Sequence, residues 1–458
     1  MSDHTFRPFT DWTGTVTTIV AAFAFSSVFP LSACRAQDAV AEGRPAAVHD
    51  AATDAETDGA SLRDAAAKSE PAAWERTASD TIAVGEAVTI DAVKSSIDRA
   101  ANWLIDHQNA DGSYGLVMPD GTYRSDAGVT ALALHALAIC PRKYREEDGP
   151  FISKAVEYLL SQKRDGGGIY EEGQGLRNYK SSMALLALSA LDEGRKPRYA
   201  DEIVALRDYV ASLQCAEDSS PAYDPQKNVR AYGGIGYGGD RRPDLSNTQM
   251  ALEALQAGEL AEDSEVFARV QTFLKRCQNR EASNDFTDGE EVRSTEDGGF
   301  FYFPGESKAG NVEHADGAVS YTSYGSMTYA GVKSLIYAGL KKDDPIVADA
   351  VRWLGQNFTV VENPGMSTEL SPSRGQMGLF YYYTVMARTL EVLGEKTITD
   401  GTGRERRWAA ELGGELLRRQ SKDGTWTNPV DRWWEGDSAL VTAYAIQSLS
   451  ICARNLKE

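Results

Sequence analysis

The chain has few basic residues, few histidines and few cysteines. Its 458 residues include 47 Lys and Arg against 67 Asp and Glu, so the formal net charge is −20. A protein of this charge repels the phosphates of nucleic acids and anionic lipid surfaces unless a local basic patch overrides the repulsion. The sequence contains no such patch, and we do not expect nucleic acid to be a partner.

The chain also has only one long hydrophobic run, which lies near the N-terminus. Residues 15–33 (TVTTIVAAFAFSSVFPLSA) are apolar and uncharged, as the central part of an export signal is. The run ends in Leu31-Ser32-Ala33-Cys34, which resembles a bacterial lipobox and implies lipid attachment at Cys34. Ordinary cleavage near Ala36 with full secretion, or an uncleaved membrane anchor, are the alternatives.

The next segment, residues 34–85, is rich in Ala, Asp, Glu and Thr and nearly lacks large aliphatic residues. It cannot bury enough apolar area to offset its ordering entropy, which is typical of a flexible tether. We therefore predict an export signal (1–33), a tether (34–85) and a folded domain (86–458). The expected product is a monomer in the periplasm or cell envelope, attached to a membrane only through its N-terminal lipid, or otherwise secreted.

The folded part contains an internal repeat. Three clear copies pair an amphipathic helix ending in Gln with a glycine-containing turn and an aromatic residue: WLIDHQNADGSYG (103–115), YLLSQKRDGGGIY (158–170) and LLRRQSKDGTW (416–426). Weaker copies occur at 209–215, 273–278 and 351–358, and each copy is followed by a stretch of small and aliphatic residues. The repeat predicts six helix pairs.

The two helices of a pair differ in pattern. First helices such as residues 96–108 have one apolar and one charged face, which places one side in water. Second helices such as residues 130–139 are apolar nearly all round and need cover on every side. An outer ring around an inner ring satisfies both, so we predict an all-α (α/α)6 toroid with the Asp-Gly turns around the mouth of a central cavity.

The repeats resemble the QW repeat of squalene and oxidosqualene cyclases. The resemblance is carried by Leu104…Gln108…Gly112-Ser113-Tyr114 and Leu416…Gln420…Gly424-Thr425-Trp426. From about residue 92 onwards the chain is similar to the prenyltransferase and squalene oxidase repeat family, which implies a squalene cyclase-like, terpenoid cyclase and protein prenyltransferase toroid. Cyclases, protein prenyltransferases and complement thioester domains share that fold, so the resemblance leaves the activity open.

The catalytic residues of these relatives are missing. The protonating D-x-D-D-T-A motif of the cyclases aligns with segments that begin at Asp126 and Asp244, and neither segment supplies the paired carboxylates. In the zinc site of protein prenyltransferases, Asp244 matches the Asp, Ser246 replaces the Cys, and no His lies near Asp437. We therefore predict neither metal nor cofactor, and the family's known catalysis is not supported.

Polar and aromatic residues at the predicted mouth are candidates for ligand contact. The substrate-binding candidates are Asp126, Tyr237, Asp244, Tyr302, Tyr324, Tyr382, Trp433 and Asp437. Helix capping is the alternative for the three aspartates, and packing is the alternative for the aromatics. The aromatics of the repeats, such as Tyr114 and Trp426, are expected to lock the turns.

Histidine offers few acid–base candidates in the folded part. His135 lies in an apolar inner helix and is expected to be a buried structural residue. His107 ends an outer helix, where it suits the helix dipole. His314, near Asp316, is the best remaining acid–base candidate.

Four cysteines in the folded part suggest two disulfide bonds. Cys140 and Cys452 lie at the same level of the first and last inner helices, which are neighbours only if the ring closes. Cys215 and Cys277 end adjacent outer helices. An oxidising compartment would permit both bridges, and buried free thiols are the alternative.

These observations favour an exported, squalene cyclase-like protein that binds an apolar or extended ligand, such as an isoprenoid or a peptide, in a central cavity. One alternative is a divergent terpenoid cyclase or carbohydrate-active enzyme that uses carboxylates of the cavity as acid and base. Facing carboxylates, one with a raised pKa, would favour that enzyme. The other alternative is an envelope scaffold that holds a partner protein or peptide, and a centre filled by side chains would favour it.

Overall fold

Helices account for most of the chain that the structure describes. It is a computed structural model that describes residues 88–217, 224, 228–238, 242–287 and 290–456. The predicted signal, the lipid-attachment residue Cys34 and the tether lie outside the described residues. Within them, twelve α-helices alternate between an outer and an inner layer. None of the described helices combines the length and hydrophobicity that a bilayer crossing requires.

The six outer helices are amphipathic and the six inner helices are covered on nearly all sides. The outer helices are α1 (Ile90–Asp106), α3 (Pro150–Ser161), α5 (Ala200–Ser212), α7 (Glu265–Arg276), α9 (Pro345–Gln356) and α11 (Trp408–Arg419). The inner helices are α2 (Ala127–Ile139), α4 (Arg177–Asp192), α6 (Leu245–Ala257), α8 (Gly325–Tyr337), α10 (Leu379–Leu393) and α12 (Ser438–Asn455). Short 3₁₀ helices lie at Glu146–Asp148, Val229–Ala231 and Pro372–Gln376.

The inner helices close into a ring. Each inner helix packs against the next one along the chain, from α2 to α12, and α12 packs against α2. The outer helix α1 contacts both α11 and α12, so the first pair also lies beside the last pair in the outer layer. This arrangement confirms the predicted α/α toroid, and we call the junction of the first and last pairs the seam.

The repeated glutamine joins successive pairs. In the first pair, the Gln108 amide donates to the carbonyl oxygens of Gly112, at 3.0 Å, and of Phe151 in the first turn of α3, at 2.9 Å. Gln214 and Gln278 make equivalent pairs of bonds in the third and fourth copies. Each glutamine thus ties its own glycine turn to the start of the following outer helix.

The same bond spans the seam. The Gln420 amide donates to the carbonyl oxygens of Gly424, at 2.9 Å, and of Ser96 in α1, at 3.0 Å. The Ser96 hydroxyl donates to the Gln420 side-chain oxygen at 2.8 Å. For the sixth repeat, the following outer helix is therefore the first one of the chain.

The aromatic residues of the repeat lock the turns, as predicted. The Tyr114 hydroxyl donates to the carbonyl oxygen of Leu104 at 2.7 Å, and the Trp426 indole donates to that of Leu416 at 2.8 Å. Tyr114 and Trp426 are almost fully buried. These two aromatics therefore contribute to the wall of the ring.

Three short antiparallel hairpins, which the all-α prediction did not include, occur in the described part of the chain. They pair β1 (Gly115–Val117) with β2 (Tyr123–Ser125), β3 (Asn311–Glu313) with β4 (Val319–Tyr321), and β5 (Ile398–Thr399) with β6 (Glu405–Arg406). In the first hairpin Gly115 lies opposite Ser125. The β1–β2 hairpin projects from the first pair and takes part in the site described below.

The inner helices all begin at the same end of the ring, where their N–H groups need acceptors. Asp126, Asp244 and Asp437 cap α2, α6 and α12 with their own carboxylates. At α10 the residue before the helix is Gly378, and the Glu435 carboxylate from the last pair accepts the N–H of Tyr381 at 2.8 Å. The three aspartates are therefore helix caps, which is the alternative that the sequence left open for them.

The two predicted disulfides are wrong, because Cys140, Cys277 and Cys452 are buried free thiols. The Cys140 thiol points back at the carbonyl oxygen of Leu137, 3.2 Å away. Cys452 lies against Gly413 of the outer helix α11 and therefore does not face α2. Equal height on neighbouring helices does not make two side chains face each other, and the helix rotation decides the pairing.

Candidate ligand-binding site

The centre of the ring is filled by side chains. The void that remains has a volume of about 10 Å³. Such a volume holds about one water molecule. Among the residues that line it, only Tyr381 and Tyr444 are aromatic. The predicted open central cavity with aromatic walls is therefore wrong.

Charged residues in the middle of the inner helices fill this space. The buried Glu253 of α6 forms ion pairs with Lys333 of α8 and Arg388 of α10. Arg388 also donates to the side-chain oxygen of Gln447 on α12 at 2.5 Å, and it lies 3.4 Å from the ring of His135 on α2. One polar network thus connects five of the inner helices across the axis.

The contacts within this network determine whether Glu253 and His135 are charged. Burial alone would raise the pKa of Glu253, but Arg388 and Lys333 lower it, so the carboxylate is ionised. Burial and the Arg388 charge lower the pKa of His135 to about 3, which keeps the imidazole neutral. His135 is therefore placed as a buried structural histidine, and the network works as a plug.

A cluster of tyrosines lies above the plug, at the end of the ring where the inner helices begin. The Tyr179 hydroxyl lies 2.5 Å from the Ser246 hydroxyl, which lies 2.8 Å from the Tyr381 hydroxyl. The Tyr237 and Tyr302 hydroxyls are 3.2 Å apart. All four tyrosines are partly exposed. The cluster forms a shallow aromatic surface that brings together two predicted candidates, Tyr237 and Tyr302.

Asp244 lies beside this cluster but works as a helix cap. Its carboxylate accepts the backbone N–H of Asn247 at 2.8 Å and the side-chain amide of the same residue at 2.7 Å. Burial raises the pKa of Asp244 to about 6, although hydrogen bonds from Asn247 and Tyr302 oppose the rise. No described hydrogen bond or ion pair joins Asp244 to a second carboxyl group, so the geometry lacks an acid–base pair here.

Asp126 is also held by local partners. Its carboxylate accepts the N–H of Val129 at 3.0 Å and forms an ion pair with Lys180 at 2.8 Å. Lys180 bonds Glu171 at 2.6 Å, and Glu171 in turn accepts the N–H of Ala127 at 2.6 Å. This buried lysine forms ion pairs with both carboxylates, and Asp126 has the role of a cap.

Three other predicted candidates lie outside the tyrosine cluster. Tyr382 is fully buried in the wall, where its hydroxyl donates to the carbonyl oxygen of Thr359 at 2.7 Å. Tyr324 is buried at the start of α8. Trp433 is exposed and lies against Gly378. His314, the acid–base candidate, lies on the β3–β4 hairpin and bonds the Ser320 hydroxyl at 2.8 Å.

A cleft of ligand size lies at the seam. It has a volume of about 520 Å³ and runs between the first pair and the loop before α12. From the first pair, Trp103, His107 and Tyr123 line it, and from the last pair Trp434 and Asp437 do so. We call this site the seam cleft.

The first pair supplies an aromatic wall. The rings of Trp103 and His107 are stacked, with centroids 4.1 Å apart and an angle of 14° between their planes. The His107 Nδ1 lies 2.8 Å from the carbonyl oxygen of Trp103, which fixes the imidazole on the indole. Tyr123 on the hairpin is 54% exposed, and its hydroxyl accepts a bond from the Asn109 amide at 3.0 Å.

The last pair supplies two carboxylates. Asp437 caps α12 by accepting the N–H of Leu440 at 2.9 Å, and Asp431 accepts the N–H of Gly436 at 2.8 Å. Burial raises the pKa of Asp437, and the nearby Asp431 carboxylate raises it further. Asp437 is the one predicted candidate that lines the seam cleft.

Sequence reasoning leaves Trp434 open between ligand contact and packing, and it does not predict the remaining residues of the cleft as ligand contacts. Trp103 and His107 are separated from Asp431 by more than 300 positions in the sequence. Their meeting depends on ring closure, which the repeat predicts, and on the loop before α12, which has no repeat pattern. The doubled tryptophan at Trp433-Trp434 was the available signal, although Trp434 faces the cleft and Trp433 does not.

The described residues contain no group of three or more His, Cys, Asp or Glu side chains that could hold a metal ion. The carboxylates described above are engaged with helix N-termini, with basic side chains or, for Asp431, with a backbone N–H of the loop before α12. The chemistry of the seam cleft is therefore that of aromatic faces and two carboxylates.

Known proteins similar to this chain occur among solved structures. No family model matches the chain, and no curated protein matches it. Among solved structures, the chain is similar to a variant of the type II terpene cyclase MstE from Scytonema in complex with merosterolic acid A, at 17% identity and a TM-score of 0.49, over 80% of this chain and 99% of that one. It is also similar to an unsaturated glucuronyl hydrolase specific for heparin, at 14% identity and a TM-score of 0.48, over 80% and 98% of the two chains.

Proposed function

We propose that this protein is an exported, non-catalytic binding protein that takes its ligand in the seam cleft. The observation that carries the proposal is the contrast between the two concave sites. The centre retains about 10 Å³, whereas the seam cleft measures about 520 Å³. Ligand pockets of proteins typically measure about 300 to 1,000 Å³.

A central isoprenoid or other extended apolar ligand is not compatible with the plug. Such a ligand would have to displace Glu253, Lys333 and Arg388, which form two buried ion pairs through the shared Glu253 carboxylate. Separating buried charges from their partners costs several kcal/mol per ion, about 3–5 kcal/mol for a broken pair. Binding at the surface of the ring avoids that cost. The filled centre also agrees with a scaffold for a partner protein or peptide, but the seam cleft has the volume of a small-molecule pocket, which favours a small ligand.

Catalysis by carboxylates that face each other across a site is not supported either. Asp431 and Asp437 both come from the segment just before α12, on one side of the seam cleft. The carboxylates of Asp126, Asp244 and Asp437 each accept a backbone N–H at the start of an inner helix. A general acid must deliver its proton to the substrate, so a carboxylate that is bound to its own helix is poorly placed for that role. A binding function does not require these carboxylates to transfer a proton.

The proposal that the protein is exported rests on the N-terminal sequence. An uncharged run that ends in Leu-Ser-Ala-Cys supports export and lipid attachment at Cys34, with residues 34–85 as a spacer. Radiolabelled palmitate supplied to expressing bacteria should label the full chain and should not label the Cys34→Ala variant. Equal labelling of both would contradict lipid attachment at this residue.

The binding proposal is tested with four probes of different chemistry on the full chain. The probes are choline, methyl glucoside, triglycine and geranylgeraniol, and calorimetry measures their binding to wild type, Trp434→Ala and Tyr302→Ala. We expect at least one of the three polar probes to bind saturably, to be lost with Trp434→Ala, and to be retained with Tyr302→Ala. Binding of geranylgeraniol that survives Trp434→Ala, or loss of binding only with Tyr302→Ala, would contradict a site at the seam.

A further inference from the structure

One wall of the seam cleft is aromatic and the other carries carboxylates. Together they indicate the chemistry of the ligand. We infer that the seam cleft binds an organic cation, a primary or quaternary ammonium group on a small apolar body. This inference rests on the proposed function, because it concerns the ligand of the same site. The carboxylates of the last pair and the aromatic faces of the first pair carry it.

The cleft is negatively charged. Among the described residues that line it, Asp431 and Asp437 bring carboxylates, and no lysine or arginine is present. The nearest residue of opposite sign in sequence, Arg432, places its guanidinium over the Trp433 ring, 5.5 Å from the centroid and outside the lining. Asp126, which caps α2, has a basic partner in Lys180. A bound cation would supply such a partner to the two carboxylates at the seam.

The aromatic wall favours the same ligand. The face of an aromatic ring carries a negative electrostatic potential and attracts ammonium groups within about 6 Å of its centroid. Trp103 and Trp434 are partly exposed and Tyr123 is exposed, so the cleft offers rings from both sides of the seam. The imidazole of His107 is stacked on Trp103 and holds that indole in place.

Other ligand classes fit less well. An anionic ligand such as a phosphate or a carboxylic acid would meet two carboxylates without a basic partner. A purely apolar ligand would bury those carboxylates without replacing their water, which is costly. A neutral sugar fits the shape but leaves the charge uncompensated.

Choline chloride tests the inference on the full chain. Tryptophan fluorescence is followed during titration with choline, with sodium chloride at matched ionic strength, and with methyl glucoside. We expect a saturable change with choline and none with the other two. Asp431→Asn should weaken choline binding at least fivefold, and Trp434→Ala should weaken it at least tenfold.

Two further variants keep the result interpretable. Tyr123→Leu removes an exposed ring from the hairpin without touching the core and should weaken binding about threefold, whereas Trp433→Ala, outside the lining, should leave it unchanged. Saturable binding of methyl glucoside but not of choline would overturn the inference and leave the proposed function standing. If no probe binds, the inference and the proposed function both fail. Choline binding that is unchanged by Asp431→Asn would place the cation elsewhere and overturn the inference.

Discussion

At the scale of single residues, charges placed inside apolar helices decide what the ring can hold. Glu253 and Lys333 are the only charged residues of α6 and α8, and Arg388 is the basic residue of α10. Each comes eight or nine residues after its helix begins, so they meet at one level of the ring. That regularity is visible in the sequence and predicts a buried ion network. The candidates named from the sequence lie at the ends of the inner helices, so the network was not among them.

The plug makes a specific prediction for stability. Glu253→Gln removes the charge that balances both Lys333 and Arg388, so the free energy of unfolding should fall by about 3–5 kcal/mol. The matched control is Glu395→Gln, which breaks the exposed pair with Lys342 and should cost at most about 1 kcal/mol. Urea denaturation of the two variants measures both values. Equal losses would contradict a buried network at the centre.

A second residue-scale prediction concerns pH. Burial raises the pKa of Glu435 to about 7, although the Asn428 amide and the N–H groups at the start of α10 oppose the rise. In an unfolded chain a glutamate has a pKa of about 4.3. Between these values the folded state binds more protons, so the free energy of unfolding should fall as the pH rises from about 4.3 to about 7.

Glu435→Gln should flatten that fall, because its side chain does not titrate. Asp244, whose pKa burial raises to about 6, should leave a smaller decrease of the same sign in the variant. Urea midpoints at pH 5 and pH 8 compare wild type, Glu435→Gln and the partly exposed control Glu391→Gln. The prediction is wrong if wild type and Glu435→Gln show the same change between the two pH values.

At the scale of elements, the glycine after each outer helix is what lets the pairs stack. Gly233 has φ +83°, and a Cβ there would lie 2.1 Å from the carbonyl oxygen of Arg269 in the next outer helix. Gly339 has a similar φ of +90°, but a Cβ there would meet nothing within 4 Å. The two positions have a similar positive φ. They differ in that the backbone of the next outer helix approaches Gly233 closely and nothing approaches Gly339.

This difference gives a matched pair of variants. Gly339→Ala should cost about 1 kcal/mol, which is the backbone term alone. Gly233→Ala should cost at least about 2 kcal/mol more, because the clash is with backbone and α7 has to move. Thermal and urea denaturation measure both. A cost for Gly233→Ala no larger than that for Gly339→Ala would contradict close packing between successive pairs.

The helices and hairpins also show which parts of the fold the sequence predicts. Glutamine, glycine and aromatic residues at fixed spacing, as at Gln108, Gly112 and Tyr114, predict the helix pairs because these residues recur in every well-formed copy. The β1–β2 hairpin has no counterpart in the repeat pattern and lies between two helices of one pair, so it was missed. The thiols of Cys140 and Cys452 were misassigned because sequence spacing gives height along a helix and not rotation about it.

At the scale of the whole ring, closure creates a site that no single repeat contains. The seam cleft takes residues from α1, the first hairpin and the loop before α12. The central cavity, by contrast, was expected from the family resemblance and is occupied by this chain's own side chains. The ring itself was predictable from six copies of a unit, whereas the site at its junction depends on the irregular residues that only the first and last copies carry.

Ring closure is the claim on which both the seam cleft and its ligand depend, and a cross-link across the seam tests it most directly. Arg99→Cys and Gln420→Cys, combined with replacement of the native cysteines by serine, place accessible thiols on α1 and after α11, where the Arg99 guanidinium donates to the Gln420 side-chain oxygen. A short bis-maleimide should join them within one polypeptide in high yield, while Arg99→Cys paired with Arg352→Cys on α9 should give no such product. Failure of the first pair to cross-link, with both thiols reactive, would contradict the closed ring and the site at its seam.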